Sequence, residues 1–563
     1  MNRFRMLRKR RPWTRAGIAV VAALFAALPT GFAALQTGIA RADTATPCND
    51  LLVQQHMVQG HLVGETDCQI TSQSTVQDNK GRAFNRVDIA LSGTAFGYAD
   101  PNTQGNTRKD LTDVPNILFP QFGITSWEPG VGQYSGNGGA GAGLTVLYPA
   151  SGTPWNGKVF VVAHGQSNNT PLGDLAPQQA TGLSANTFDN LYADEMIDQG
   201  YAVIYTRRPA SSGVPTTLDN GAKLDESLND NVDTILSFAQ TGQKLLQQKL
   251  GKAPTATYWY GHSAGVILGR MINYSGKNYD SQGHKYFDGF LDDDAGGGLP
   301  LPVSMQEGNV LGENGNVATF NPADEIYKTN ADRAKFTKEL NLAHDLYQDA
   351  HSWLPHVSYI DLKRQNTLLM QQEGLGDKTR MYEVAGVSHI AATSTSPAKT
   401  LDIGGLADAS ITLLDQWVQK NIAPPATMAD LASVGGHNDK HQPTSVQLPP
   451  IACPTGVRFA GPPPAGGTST TGYVPYDGTT LEPVNSNGVL TDVNGDGYRD
   501  AMPTMDQAWR SLGMIGKHDT VTKNVYVSCV RQDVQSLVQN RLLTQDVANW
   551  YIQQAQNYPN LPW

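Results

Sequence analysis

The middle of the chain alternates between short apolar runs and stretches with helical spacing. The apolar runs predict strands at 144–151, 158–165, 201–206, 255–260, 286–292, 356–361 and 379–386. Between them, apolar residues recur at three- and four-residue intervals, which predicts helices at 187–199, 228–250 and 264–274. Strands that alternate with helices predict a mostly parallel central sheet flanked by helices.

Composition changes on either side of this α/β region, which we assign to residues 144–420. Residues 43–143 are rich in Gly, Thr, Asn and Asp with short β-like runs, and predict an N-terminal β-rich extension. Polar and helical stretches at 295–350 predict a lid-like insertion near the carboxyl ends of the strands. Residues 421–563 predict a Pro/Gly-rich linker and a small C-terminal domain that ends in helices at 531–539 and 544–555.

The first 42 residues have the order of a secretory signal peptide. A basic start is followed by the apolar run 16–28 and by the small-residue cleavage site Ala40-Arg41-Ala42. Cleavage there leaves 33 basic and 51 acidic residues, a net charge of about −18. Such a surface disfavours nucleic acid and anionic membranes as partners. The signal-peptide pattern predicts a secreted protein, extracellular or periplasmic, with no membrane segment after cleavage.

Four cysteines fall in two pairs that are close in sequence. In an oxidising compartment this predicts two disulfides, and proximity favours Cys48–Cys68 and Cys453–Cys529 among the three connectivities.

The stretch Gly-His-Ser-Ala-Gly at 261–265 stands between a predicted strand and a predicted helix. A serine nucleophile on such a strained turn needs neighbours two residues away that carry no side chain, and Gly261 and Gly265 meet that requirement. Ser263 is therefore the candidate nucleophile.

A serine hydroxyl needs a base within hydrogen-bond reach and a carboxylate that orients the base. His389 follows the last predicted strand in a glycine-containing loop, and is the candidate base. Asp361 ends the predicted strand 356–361 and is the favoured acid. The cluster Asp292–Asp294 comes next, and Asp377 and Glu373 are further alternatives.

Two backbone N–H groups would hold the oxyanion in acyl transfer. Ala264, the residue after the nucleophile, supplies the first. Gln166, in the loop after the strand that ends in His164-Gly165, is the candidate for the second.

The segments "VVAHG", "GHSAG" and "AGVSH", in this order on alternating strands and helices, resemble the α/β-hydrolase superfamily. The resemblance covers residues 144–420 and implies a Ser-His-acid hydrolase that works through an acyl-enzyme. The chain also resembles, through "YEVAG-x-SH", a group of large secreted α/β-hydrolase-domain proteins. It departs from the usual pattern in the long interval of 99 positions from His164 to Ser263, and no G-x-x-D motif marks the acid.

A separate signal lies in "TDVNGDGYRDAM" at 491–502. Asp492, Asn494, Asp496 and Asp500 alternate as hard oxygen ligands do in extracellular calcium loops, and the Tyr498 carbonyl would be a further ligand. Pro503 stands where an EF-hand has its bidentate Glu. The alternatives are a structural Ca²⁺ site and an Asn/Asp/Gly turn without metal.

Together these patterns predict a secreted esterase or lipase-like enzyme that needs no cofactor for catalysis. Its substrate would be a small-molecule or polymeric ester. The alternatives are a serine peptidase or acyltransferase on the same scaffold, and a catalytically silent extracellular binding protein. The sequence leaves the acyl and alcohol specificity and the oligomeric state open.

Overall fold

The computed structural model divides into two compact units, residues 1–40 and 41–563, and every described residue belongs to the second. The structure describes residues 45–58, 60–77, 81–99, 128–137, 140–163, 192–207, 232–262, 264–274, 277–294, 334–344, 359–372, 374–387, 401, 403–431, 445–458, 473–481 and 501–561.

One large sheet organises the second unit and joins twelve strands of the described residues. Its strands are β1 (Thr46–Pro47), β2 (His56–Val58), β3 (His61–Gln77), β4 (Ala83–Ala99), β5 (Glu128–Tyr134), β8 (Gly143–Pro149), β9 (Lys158–Ala163), β10 (Ala202–Arg207), β11 (Ala256–His262), β12 (Gly289–Asp293), β13 (Glu339–Ala343) and β14 (Thr379–Glu383). Two small ladders outside it are β6 (Gly136–Asn137) with β7 (Ala140–Gly141), and β15 (Gly456–Arg458) with β16 (Tyr473–Pro475). The main path runs β1-β3-β4-β8-β10-β9-β11-β12-β13-β14.

The six strands from β10 to β14 along this path are parallel. They are buried almost continuously, as expected for a sheet that is covered on both faces. Their register places Gly261 opposite Ala163, and His262 opposite Asp293. The carboxyl ends of β9, β11 and β12 therefore meet at one edge of the sheet. The predicted α/β class with a mostly parallel sheet is confirmed.

The first strands extend the same sheet in antiparallel fashion. The long hairpin of β3 and β4 continues into β8, which pairs antiparallel with both β4 and β10. The predicted disulfide Cys48–Cys68 is present and joins the start of the described chain to β3. Between β4 and β8, Thr145 donates a hydrogen bond of 2.5 Å to the buried carboxylate of Asp88.

Helices cover both faces of the parallel strands. The helices of the described residues are α1 (Ala193–Asp198), α2 (Val232–Leu250), α3 (Ala264–Tyr274), α4 (Tyr359–Gln372), α5 (Gly404–Lys420), α6 (Pro449–Ala452), α7 (Met505–Ser511), α8 (Lys523–Gln539) and α9 (Gln545–Ala555). Alternate side chains of a strand point to opposite faces. Phe160 and Tyr258 accordingly pack with Met196 of α1, whereas Val161 and Trp259 pack with Leu268 of α3. Complete burial of each such side chain contributes about 1.5–3 kcal/mol.

One sequence prediction fails near the end of the sheet. The predicted strand 356–361 is wrong, because α4 begins at Tyr359 and Asp361 lies in its first turn. Buried residues in α4 recur at Lys363, Asn366, Thr367 and Met370, which is helical spacing. The strand that stands between β12 and β14 is β13, and it lies in the stretch 295–350, where the sequence predicts an insertion.

The C-terminal helices share a core with the α1 face of the sheet. Tyr526, Val530 and Val534 of α8 belong to the same buried cluster as Tyr260 and Val384. The predicted disulfide Cys453–Cys529 is present and links α8 to the end of α6. Among the described residues, no helix is long and apolar enough to cross a membrane.

Asp533 on α8 gives the stability of this region a pH dependence. Burial raises the pKa of its carboxyl to about 7. The native state therefore holds a proton that the unfolded chain loses near pH 4, so stability falls as pH rises from about 4 to 7. We expect Asp533→Asn to raise the free energy of unfolding at pH 8 by roughly 3 kcal/mol. Urea titrations at pH 4.5 and pH 8 measure the difference.

The matched control is Asp546→Asn, which changes an exposed aspartate of α9. It should shift stability by less than about 0.5 kcal/mol at both pH values. Equal stability of Asp533→Asn and the unmodified protein at pH 8 would refute this account of Asp533.

Candidate active site

Two glycines bring β11, α3 and β9 closer together than any side chain would allow. Strand β11 ends at His262 and α3 begins at Ala264, so Ser263 is the single residue between them. A Cβ on Gly261 would lie 2.5 Å from the carbonyl carbon of Gly265. A Cβ on Gly265 would overlap the carbonyl oxygen of Ala163 and lie 2.8 Å from its carbon. The sequence predicts this requirement for both glycines, and the contacts agree with it.

The indole of Trp259 fixes α3 against the strand that leads to the turn. This side chain is fully buried, and its Nε1–H donates to the carbonyl oxygen of Gly265 at 3.2 Å. A Cβ on Gly269, one turn further along α3, would lie 2.7 Å from the indole Cδ1. The turn is therefore held by a hydrogen bond and by close packing on both sides of Ser263.

The order of the strands changes direction at this turn. The chain leaves β9 through α1 toward β10 on one side, and leaves β11 through α3 toward β12 on the other. Helices α1 and α3 cover opposite faces of the sheet. In open α/β sheets, ligands bind in the crevice outside the carboxyl ends of the strands at such a switch point. Ser263 follows one of the two strands at this point, and His164 follows the other.

A strand-to-helix serine turn with two obligatory glycines, at the switch point of this sheet, decides the fold family. The chain has the α/β-hydrolase fold. The antiparallel β8 followed by the parallel order β10-β9-β11-β12-β13-β14 agrees with that assignment.

Several solved structures that are similar to the chain are esterases, although the similarity is distant. Feruloyl esterase B from Aspergillus oryzae is 12% identical with a TM-score of 0.32, over 64% of this chain and 88% of that one. A structure of fungal esterases from Rhizomucor miehei is 11% identical with a TM-score of 0.27, over 47% and 75%. Carboxyl esterase 2 from Tuber melanosporum is 13% identical with a TM-score of 0.23, over 43% and 72%. No family model and no protein with a curated description matches the chain. The fold assignment therefore rests on the chain's own strand order and serine turn.

Several of the predicted site residues lie outside the described residues. They are Ser263, His389, Gln166, Glu373 and the calcium-loop residues Asp492, Asn494, Asp496, Tyr498 and Asp500. For Asp361 and Ala264 the structure gives the backbone element, and their assigned roles stay predictions. Within the described part of the chain, no group of three His, Cys, Asp or Glu residues is placed to hold a metal ion.

Ala264 is the first residue of α3, and the first N–H groups of a helix have no partner within the helix. Its position at the helix start fits the predicted role as an oxyanion donor. The positive end of the helix dipole would add to the attraction for a negatively charged oxygen.

Asp292, one of the alternative acids, belongs to a buried charge cluster beneath α3. Arg270 lies 3.4 Å from Asp292 and 3.5 Å from Glu339 of β13, and it donates to Asn341 at 2.7 Å. Burial and the neighbouring Glu339 raise the pKa of Asp292 well above its usual range. This carboxyl therefore braces α3 against β12 and β13. Its candidate role toward His389, which lies outside the described residues, stays a prediction.

Asp293 and Asp294 hold a different histidine, His344, which follows β13. The His344 Nε2 atom lies 2.8 Å from Asp293 Oδ1, and its Nδ1 lies 3.6 Å from Asp294 Oδ2. Tyr260 of β11 donates to the other Asp293 oxygen at 2.8 Å. Lys363 of α4 pairs with Asp294 and donates to the His344 carbonyl oxygen at 2.9 Å. We call Asp293, Asp294, His344 and Lys363 the edge cluster, because it closes the carboxyl edge of β12 and β13.

Charges within the edge cluster decide the protonation of His344. Burial lowers the pKa of this imidazole, but the carboxylates of Asp294 and Asp293 outweigh burial and raise it to about 9. At neutral pH the ring is a cation with both nitrogens directed at carboxylates. It therefore has no free lone pair to take a proton from Ser263.

Asp377, a further alternative acid, lies before the amino end of β14. It precedes β14, which begins at Thr379, so it stands at the amino edge of the sheet. His389 follows β14 in the sequence, beyond the opposite end of the same strand. Because His389 lies outside the described residues, the candidate role of Asp377 stays a prediction.

The loop that leads to His389 is held by the C-terminal region. Gly386 has a φ of +73°, and a Cβ there would lie 2.9 Å from Cγ1 of Ile451 in α6. The Ala385 N–H donates to the Val446 carbonyl oxygen at 2.9 Å. The path from β14 toward the candidate base is thus fixed by segments more than fifty residues further along the chain.

We expect Asp293→Asn to destabilise the protein by about 3–5 kcal/mol, because it leaves part of a buried ion cluster unpaired. His344 has a folded pKa above its unfolded value, so its stabilisation is complete below about pH 6.5 and is lost as pH rises toward 9. The destabilisation should therefore be larger at pH 6 than at pH 9. Urea unfolding at the two pH values measures it.

The control for this variant is Asp280→Asn, which breaks the His284–Asp280 pair at the surface, with a separation of 3.0 Å. Solvent screens an exposed pair, so little change in stability is expected. If the two variants destabilise the protein equally, the edge cluster does not have the role described.

Proposed function

We propose that the protein is a secreted serine hydrolase that cleaves carboxylic esters through an acyl-enzyme. The observation that carries the proposal is the turn at Ser263, where Gly261 and Gly265 admit no side chain and α3 begins immediately. Such a turn restricts the backbone and demands close packing, and it stands at the switch point of the sheet, where ligands bind in open α/β folds. A turn that only reversed the chain would need neither constraint.

The reaction would proceed in two steps. The Ser263 Oγ attacks the ester carbonyl carbon while His389 takes its proton, and the Ala264 and Gln166 N–H groups hold the oxyanion. The bond to the alcohol oxygen then breaks, and the alcohol leaves with the proton from His389. Water, deprotonated by His389, attacks the acyl-enzyme and releases the acid and free Ser263.

Two carboxylates are candidates for orienting His389. Asp361 lies two residues before Lys363, which belongs to the edge cluster. The start of α4 therefore packs near the carboxyl edge of the sheet. Asp345 comes two residues after Ala343 at the end of β13. Strand β13 pairs in parallel with β14 up to Ala343 and Glu383, so Asp345 and His389 follow neighbouring strands in the sequence.

Kinetics of Asp361→Asn and Asp345→Asn separate the two candidates. Loss of the orienting carboxylate lowers kcat by about 10⁴-fold, whereas the other variant should keep most activity. Far-UV and near-UV circular dichroism of both variants controls for folding. If both variants keep full activity, the acid lies elsewhere and this part of the proposal is wrong.

Ester cleavage is tested with p-nitrophenyl esters from C2 to C16 beside a matched set of peptide p-nitroanilides. We expect turnover of esters and little of anilides. A preference for anilides would favour the serine peptidase alternative. No turnover of either set by folded protein would favour the silent binding protein.

We also propose that the protein is exported from the cytoplasm. The disulfides Cys48–Cys68 and Cys453–Cys529 fit an oxidising compartment, as does the signal-peptide pattern of residues 1–42. Mass spectrometry of the protein from the culture medium tests this, with an N-terminus at Asp43 as the expected result.

A further inference from the structure

A cavity of about 610 Å³ lies between the outer edge of β14 and α8. It contains none of the residues proposed for ester cleavage. Its volume falls in the range of small-molecule sites, about 300–1,000 Å³.

The floor of the cavity is fixed to the sheet. Met428 N–H donates to Met381 at 2.9 Å, and Glu383 N–H donates back to Met428 at 2.9 Å. Val446 is held in the same way, since it donates to Glu383 at 2.7 Å and accepts from Ala385 at 2.9 Å. These backbone groups are satisfied, so the floor is a rigid continuation of the sheet edge.

The opposite wall, α8, is anchored covalently and by burial. The Cys453–Cys529 disulfide ties it to the chain that follows the floor, and Asp533 stands one helical turn after Cys529. Val534 and Leu537 are buried in the core. Both walls are therefore held in place before any ligand arrives, which reduces the ordering cost of binding.

Among the described residues that line the cavity, the side chains can carry negative charge but no positive charge. Asp533 is the only ionisable residue among the described residues that line the cavity. One of its carboxyl oxygens is buried and accepts no hydrogen bond within the described chain. Burial raises the pKa of this carboxyl to about 7. The other polar lining groups are hydroxyls and amides, such as Ser445, Gln447 and Asn540, and the rest is apolar.

We propose that this cavity binds a small organic cation, a primary ammonium with a short alkyl part. The ammonium would pair with the Asp533 carboxylate, and the alkyl part would lie against Met428, Val446 and Leu537. An anion would meet only a carboxyl group and no basic side chain among the described lining residues. A neutral alcohol of the same shape would lack the charge that pairs with Asp533.

Titration calorimetry of the full chain with butylammonium chloride, beside butan-1-ol, tests the proposal. We expect saturable binding of butylammonium that strengthens about tenfold from pH 6 to pH 8, because the Asp533 carboxyl ionises over this range. Butan-1-ol should bind at least tenfold more weakly. Asp533→Asn should abolish butylammonium binding, and Asp546→Asn should leave it unchanged.

Equal affinity for butylammonium and butan-1-ol, unchanged affinity in Asp533→Asn, or no binding to folded protein would each overturn the proposal. Ester hydrolysis in the same samples separates this site from the proposed active site. Competitive inhibition by butylammonium that persists in Asp533→Asn would place the cation at Ser263, and would overturn the proposal as well.

Discussion

Ser263→Ala is expected to lower kcat for p-nitrophenyl esters by about 10⁴- to 10⁶-fold. The substitution removes the oxygen that would bond to the acyl group and leaves the rest of the turn unchanged. Alanine is tolerated there sterically, because it is smaller than serine and carries no additional atom. Stopped assays at saturating ester with purified variant and unmodified protein measure the ratio.

The matched control is Ser281→Ala, which removes a hydroxyl from an exposed turn. It should keep full activity. If Ser263→Ala loses less than tenfold while Ser281→Ala is unchanged, Ser263 is not the nucleophile. If Ser263→Ala loses activity and also has a lowered melting temperature, the assay is repeated with Ser263→Cys, which keeps a nucleophile at the same position.

Gly265→Val is expected to abolish hydrolysis and to destabilise the fold by several kcal/mol. Its Cβ would overlap the carbonyl oxygen of Ala163 in β9, and backbone atoms on both sides have little room to move. The helix would be displaced from β9 and β11, and the Trp259–Gly265 hydrogen bond of 3.2 Å would be lost. Thermal unfolding and ester assays of the same preparation measure both effects.

Gly251→Asn is the control for a glycine substitution of this kind. Gly251 follows α2 with a φ of +71°, which Asn tolerates, and a Cβ added there would meet no atom within 4 Å. It should change stability by less than about 1 kcal/mol. Full activity and stability of Gly265→Val would mean that α3 does not pack on β9 as described.

Much of the fold follows from local pattern. Strands β9 and β11 are rich in apolar and aromatic residues, and both are buried on both faces, so the pattern and the structure agree. The spacing of Gly261 and Gly265 around Ser263 predicts a steric requirement, and the contacts of both glycines confirm it. These features could be predicted because each depends on residues that are adjacent in sequence or on one neighbouring strand.

Strand β13 could not be found in the same way. Its sequence Glu-Leu-Asn-Leu-Ala carries Glu339 and Asn341, which are polar yet buried. Their partners are Tyr274 and Arg270 on α3, about seventy residues earlier. Within this short stretch of sequence, two polar residues out of five indicate a segment on the surface. Only the assembled sheet supplies the partners that make the strand stable.

Dependence on residues that are distant in sequence also explains why the predicted strand 356–361 is wrong. The β-branched and aromatic residues before Asp361 indicate a strand. The segment instead forms the helix α4, because Lys363 and Asn366 are buried together on one face of it. The edge cluster could not be predicted, because a histidine and a lysine nineteen residues apart give no local signal. Asp293 and Asp294 supply the charges that bring the two together.

The most direct test of the central claim is covalent labelling with a fluorophosphonate, followed by tryptic digestion and mass spectrometry. The reagent phosphonylates a serine that is activated by a base, and it does not depend on the choice of ester. We predict a single adduct on the peptide that contains Ser263, absent in Ser263→Ala and in His389→Ala. No adduct on the folded protein, or an adduct on another serine, would contradict the assignment of a serine hydrolase site at this turn.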